Sequence, residues 1–480
     1  IKDPNSIDRA TARALREPSM DKYSTQLLDN AKAYSSTAIA VISRTCHENN
    51  DLPNIQTKAG PGQVTDETRH YLEISSEEEE MLTYLGKNYE KVIVVINAGN
   101  IMELDFMDRI PGLDACVYVG VTGTQAASSI PSLLYGDKSF SGKLVDTIPY
   151  TFNDHPASYS TWFGANNYAG SDIGGIDYVE GIYVGYKWFE TADHEGVYDN
   201  VDRSAIYGEH AKGYNGVVQY PFGYGLSYSN FEWTDYKVTS STENDKTTYE
   251  VSLKVTNKSK TEGKDIVQLY LQKPYTQYDM DNNVEKAAVE LVGFGKTKLL
   301  KQNESDVVTI SVDEKYFASY DSHKAKTYVI GSNNANDNYY LTVASDAHEA
   351  TNNILKKKGY NVDGKDNLVS NPIHIDFDNV KNFDNYQCYI ELYETLRQFY
   401  RDDSNVNLPF CDYCFANLCP LSRWYYENCE PNEQIPMNIQ QKAEMITAMI
   451  FPDLYDDSED VEMEAIPEEW EEQLAEHPEW

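Results

Sequence analysis

The chain has 480 residues and carries 77 acidic against 40 basic side chains, a formal charge of −37, with 41% hydrophobic and 24% charged residues. That composition describes a globular protein with room for roughly two to four cores. It argues against nucleic acid or an anionic membrane as partner, because like charges repel over most of the surface. The longest apolar run, around Val92 to Ile96, is too short to cross a bilayer.

Residues 1–20 are polar and weakly patterned. The segment Tyr23–Tyr34 then places Leu27, Leu28, Ala31 and Ala33 where they can form the apolar side of a helix. Ala38–Ser43 reads as a buried parallel strand, and Ser75–Asn88 as a helix capped by Ser75 or Ser76 with glutamates in its first turn. Lys91–Asn97 is almost purely β-branched, which predicts burial on both faces. Met102–Arg109 reads as helix, Ala115–Val119 as strand and Thr124–Leu134 as helix. Strand and helix alternating at this spacing predict an α/β fold, a mostly parallel sheet with helices on both faces, over residues 21–230.

From Phe140 to Tyr228 glycine and tyrosine dominate, consistent with ordered loops around a site or with an irregular elaboration. After Phe231 the period becomes two. Tyr249–Asn257, Asp265–Gln272 and Val307–Val312 alternate, predicting an immunoglobulin- or fibronectin-like β-sandwich over 231–345. The run His348–Lys358 reads as a connecting helix closed by Gly359, within 346–361. Residues 362–450 form a small Cys-rich region of undetermined fold. Residues 451–480 hold 13 acidic side chains and no Lys or Arg, a solvated tail or a surface for a basic partner. On this division, ending the chain at Gly359 is expected to leave the first two domains folded.

The polar stretch Val41-Ile-Ser-Arg-Thr-Cys-His-Glu48-Asn-Asn-Asp51-Leu leaves the C-terminal end of the first strand, where open α/β folds place ligand chemistry. It resembles the loop of family 3 glycoside hydrolases, the β-glucosidase family, that reads Ser-Arg-x-Ser-Gly-Glu-Gly-x-Asp and carries the general acid/base. Five further pieces resemble the family in order and spacing. They are Lys91–Asn100, Leu134–Thr147, Tyr178-Val-Glu-Gly-Ile-Tyr-Val-Gly-Tyr-Lys-Trp-Phe189, Pro221-Phe-Gly-Tyr-Gly-Leu-Ser-Tyr-Ser-Asn-Phe231, and the fibronectin-like run from Val255 through Gly263–Tyr270 to Glu290–Phe294. Together they cover about residues 20–345.

The resemblance implies a retaining glycoside hydrolase acting on β-linked glucosides or related sugars, with Glu48 as acid/base. The nucleophile in this family is an aspartate on a separate (β/α)₈ barrel, and neither end of the chain is long enough to hold one. A barrel is therefore expected elsewhere in a longer parent protein or on another chain. The alternative is a non-catalytic carbohydrate- or protein-binding module derived from such an enzyme. Two departures bear on the choice. His47 and Asn49 stand where the family has glycines beside the acid, and Gly120-Val-Thr-Gly-Thr-Gln-Ala-Ala127 replaces a Pro-Gly-x-Glu-Gly-Gly stretch.

Retaining hydrolysis needs two carboxyls about 5–5.5 Å apart, one of which keeps its proton near the working pH. Arg44, His47 and Asp51 are the substrate-binding or loop-shaping candidates around Glu48. Trp162 and Trp188 are candidate sugar platforms or ordinary packing, and Glu180 reads as a loop anchor. No phosphate-binding glycine loop follows a strand, so a dinucleotide reading fails and no cofactor is called for.

The seven cysteines do not make a disulfide scaffold. Cys411, Cys414, Cys419 and Cys429 are a weak candidate for a structural metal, with disulfides and unpaired thiols as the alternatives. Carbohydrate is the expected substrate, and a homo-oligomer is compatible with the sequence. The N-terminus shows no leader pattern, leaving cytoplasmic and secreted settings both open.

Overall fold

The computed structural model describes residues 17–44, 56–57, 64–66, 68–123, 127–155, 180–244 and 246–380. The first helix, α1 (Thr25–Tyr34), is capped by the Ser24 side chain, which accepts from the Leu27 amide at 3.2 Å. Strand β1 (Thr37–Arg44) follows, then α2 (Ser76–Asn88), β2 (Lys91–Ala98) and β3 (Ala115–Tyr118). The three strands form a parallel sheet in the order β1-β2-β3, with Thr37 opposite Lys91 and Ile93 opposite Ala115.

A capping box starts α2. The Glu78 amide donates to Ser75 Oγ at 3.2 Å, and Glu78 Oε2 accepts from the Ser75 amide at 2.7 Å. The helix lays Leu82 on Ile42, Val94, Ile96 and Phe106, all fully or almost fully buried. Burial of a side chain such as Leu82 or Phe106 contributes roughly 1.5–3 kcal/mol each. Gly86 permits this packing, because a Cβ there would meet Pro111 O at 2.2 Å. The opposite side of β1 is different. Ile39 and Val41 point to the other face and are exposed, so its burial is one-sided and not complete as the apolar run had suggested.

The expected helix Met102–Arg109 is a single turn, Phe106–Arg109. Met102, Glu103 and Leu104 precede it outside any helix and are all buried. Apolar residues at helical spacing here reflect a chain wedged between sheet and helix, which periodicity alone cannot separate from a helix. Of the expected helix Thr124–Leu134, the described residues form a 3₁₀ turn at Ala127–Ser129 followed by a helix at Ile130–Leu134.

The second layer is an antiparallel sandwich. One sheet joins β4 (Phe231–Glu243), β5 (Lys246–Asn257) and β8 (Ser305–Asp313) in the order β8-β5-β4. The other joins β6 (Ile266–Gln272), β7 (Glu290–Lys296) and β9 (Tyr340–Ala344) in the order β7-β6-β9. Val251, Leu253, Val255, Val267, Leu269 and Leu271 supply the core at every second position.

The Pro221-Phe-Gly-Tyr-Gly motif welds the two domains. Gly223 adopts φ +88°, and a Cβ there would meet Gln268 Oε1 at 2.2 Å. Gln268 instead donates to Gly223 O at 3.1 Å and accepts from Tyr270 Oη at 2.7 Å. Phe222 stacks on Tyr186 at 4.5 Å, at the start of α3 (Tyr186–His194), and Tyr186 Oη accepts from the Leu291 amide at 2.9 Å.

Helix α4 (Ala347–Lys357) is no mere connector. Ala347, Ala350 and Ile354 sit in one core with Tyr270, Val289, Ala344 and Val369. The chain beyond it also belongs to the sandwich. Leu368 and Val369 are buried, Ile373 bridges Tyr339, and Asp378–Val380 pairs with Thr327–Ile330. The domain thus extends to at least Val380, where the alternation had placed its end near Ser345. A cut at Gly359 removes part of its core.

Candidate active site

The parallel strands deliver their C-terminal ends to one rim, and the described part of that rim is built on Arg44. All five guanidinium N–H groups are engaged. Nε donates to Tyr71 O at 2.8 Å, Nη1 to Ser43 O and Glu78 Oε1 at 2.9 Å each, and Nη2 to Glu78 Oε2 at 2.7 Å and Glu73 O at 2.5 Å. Both side chains of the Arg44–Glu78 pair are buried. Arg44 therefore ties β1 to the chain entering α2 and has no donor left for a sugar hydroxyl.

A second ionic chain lies alongside. Arg69 and Arg109 both reach Glu79, at 2.5 and 2.8 Å, and Arg109 also reaches Asp105 at 2.5 Å. Burial pushes the Glu79 carboxyl up, but the two guanidinium groups outweigh it and hold it below its ordinary range.

Glu103 is the opposite case. It is 6% exposed, and its Oε1 accepts from the Phe152 amide at 2.6 Å. Burial is the largest influence, and with Glu73 and Asp105 nearby it raises this carboxyl to about 8 against the hydrogen bonds from Phe152 and Thr151. His70 packs on the Phe152 ring at 5.1 Å, and burial pushes its imidazole down to about 4. A neutral acid and a neutral imidazole thus share this part of the rim around pH 7. Tyr118 Oη closes the end of the sheet, its one proton shared between Ala98 O and Asn100 O at 2.9 Å each.

Residues 45–55, which include His47, Glu48 and Asp51, lie outside the described residues, as do Trp162 and Cys411, Cys414, Cys419 and Cys429. Trp188 is described. Its indole donates to Asp154 O at 3.2 Å, and it packs against the buried cluster of Phe189, Tyr198 and Tyr214. Asp154 also holds Arg203 through two bonds of 2.6 and 2.7 Å. Glu180 begins the turn into α3, with its backbone carbonyl accepting from the Tyr183 amide at 2.9 Å. Glu103, His70 and Phe152 were not singled out from sequence. The available signal was a pair of carboxylates, Glu103 and Asp105, alternating with apolar residues from Ile101 to Phe106.

The fold defines an α/β domain seated on a fibronectin-like sandwich. Residues 7–186 match the glycosyl hydrolase family 3 C-terminal domain, and residues 265–332 match the fibronectin type III-like domain. A β-glucosidase of Ruminococcus albus is 34% identical over 297 residues, covering 62% of this chain and 25% of that protein. β-Glucosidase A of Butyrivibrio fibrisolvens is 30% identical over 329 residues, covering 64% of this chain and 35% of that protein. The solved β-glucosidase of Paenibacillus barengoltzii superposes with a TM-score of 0.52 at 27% identity, over 68% of this chain and 30% of that one. The first region is thus similar to the C-terminal domain of glycoside hydrolase family 3, and the chain spans about a quarter to a third of the length of these relatives.

Proposed function

We propose that the protein is a retaining glycoside hydrolase acting on β-linked glucosides or related sugars, with Glu48 as its general acid/base. The observation that carries the reading is the family match over residues 7–186, which includes Ser43-Arg-Thr-Cys-His-Glu48 directly at the end of β1. The substrate class follows the similarity to the β-glucosidases of Ruminococcus albus and Butyrivibrio fibrisolvens. The nucleophile is assigned to a (β/α)₈ barrel in the parent protein or on another chain. Glu48 protonates the departing glycosidic oxygen while the barrel carboxylate attacks the anomeric carbon. It then takes a proton from the water that opens the glycosyl-enzyme. Arg44 acts in this scheme as a brace at the root of the loop. His47 and Asp51 flank the acid as loop-shaping or sugar-contacting groups, and Trp188 is assigned to packing because its ring lies against the buried Phe189, Tyr198 and Tyr214 cluster.

The test is Glu48→Gln in the full-length protein. Hydrolysis of alkyl glucosides should fall about 10²–10⁴-fold. Aryl glucosides with acidic phenols need little protonation, so they should keep more of their glycosylation rate, and azide should restore turnover. Equal losses on both substrates without azide rescue would remove Glu48 from the role. A wild-type protein that binds glucosides without cleaving them would favour the binding module.

A further inference from the structure

We propose that Glu103 is a positioning residue of this site, a buried carboxylic acid that clamps the segment following the Glu48 loop to the segment around Phe152. The inference rests on the reading of Glu48 as acid/base. Four contacts close a ring. The Glu103 amide donates to Leu72 O at 3.1 Å, and its carboxyl accepts from the Phe152 amide at 2.6 Å. The Phe152 ring packs on His70 at 5.1 Å, and His70 Nδ1 accepts from the Leu72 amide at 3.1 Å. Arg44 holds the carbonyls on either side, Tyr71 O and Glu73 O, so Leu72 is fixed from both directions. Residues 68–75 are the chain that returns from the Glu48 loop into α2, so the clamp sets one end of that loop.

The clamp works with a neutral carboxyl. The charged groups facing Glu103 are Asp105 on its own segment and Glu73 on the returning chain. Arg109, the nearby cation, is taken by Asp105 and Glu79. Asp154, on the Phe152 segment, is taken by Arg203, and Tyr207 stacks on Tyr150. His70 carries no charge near neutral pH. Ionising Glu103, which its environment defers to about 8, would place an anion against Glu73 and Asp105 with no free cation beside it among these groups. Hydration of that anion would then open the ring of contacts.

The test is amide hydrogen exchange at Leu72 and Phe152 in the full-length protein, corrected for intrinsic rates, beside kcat and KM on an aryl β-glucoside. In Glu103→Ala the protection of both amides should fall about tenfold or more, and kcat should fall with KM changing by no more than about twofold. Glu103→Gln, a neutral isostere, should keep protection within about threefold of wild type. It should also lack the loss that wild type shows between about pH 7 and about pH 9. Unchanged protection in Glu103→Ala, or parallel loss with pH in wild type and Glu103→Gln, would overturn the clamp. Lost protection with full activity would overturn the positioning role. If Glu103→Ala does not fold, the pH comparison between wild type and Glu103→Gln decides. A wild-type protein without glycosidase activity counts against the proposed function, and the amide readout still judges the clamp.

Discussion

The strand exits and the seam between the domains both bury a carboxyl group, but in contrasting company. At the exits Glu103 meets one backbone amide, a hydroxyl and two more acids, and holds its proton to about 8. At the seam Glu190, fully buried on α3, accepts from Tyr214 Oη at 2.5 Å and pairs with His348 Nδ1 of α4 at 3.0 Å, while Tyr214 stacks on the His348 ring at 3.6 Å. Burial alone would push His348 down, but the Glu190 carboxylate outweighs it and raises the imidazole above its ordinary value. The contrast teaches that burial does not decide protonation by itself. What decides is whether a basic side chain from another element reaches the same spot. The seam is stapled by an ion pair, and the Glu103 carboxyl is held without a cation of its own among the described groups.

The largest expected effect tests how far the seam's sandwich extends. Ending the protein after Gly359 removes buried Leu368 and Val369 and the strand Asp378–Val380. It should destabilise the sandwich by on the order of 5 kcal/mol, read as a lost or strongly lowered calorimetric transition. Ending it after Phe383 should leave that transition in place. Equal transitions for the two truncations would mean the tail strand is dispensable.

Next comes Arg44→Met, which leaves Glu78 buried without its cation. Breaking such a pair from one side costs about 3–5 kcal/mol in denaturant unfolding, and a midpoint close to wild type would show that water replaces the guanidinium.

A smaller effect sharpens the contrast itself. His348→Phe removes a cation whose pKa is higher in the folded than in the unfolded state. The stability it contributes is fully present below the unfolded value of about 6.5 and is lost as pH rises through the raised folded value. The variant should be less stable by about 1–3 kcal/mol in mildly acidic buffer, with the gap closing toward alkaline pH. A gap that widened with pH would reverse the assignment.

The smallest is Gly86→Ala. Alanine favours an isolated helix by about 1 kcal/mol, but its Cβ would meet Pro111 O at 2.2 Å. The forced shift should win by about 1–2 kcal/mol net, lowering the melting temperature. A stabilised variant would show that the 111–112 turn yields freely.

The sequence by itself determined the class of each domain. β-Branched runs alternating with capped helical stretches admit only a covered parallel sheet, period-two runs parted by Asn and Gly turns specify a sandwich, and Ser75 with Glu78 specify where α2 begins. Motif resemblance also singled out Glu48, whose role remains a proposal. Tertiary structure alone decided the partners. Nothing local says that Arg44 meets Glu78, 34 residues away, or that Glu190 meets His348 across 158. Nor could Ile101–Phe106 show that Glu103, and not Asp105, is the carboxylate that is buried, since an apolar run reads alike as helix or as wedged chain. Val369 joined the sandwich core for the same reason, because burial is settled by which surfaces meet, and proximity in space is not written into neighbouring residues.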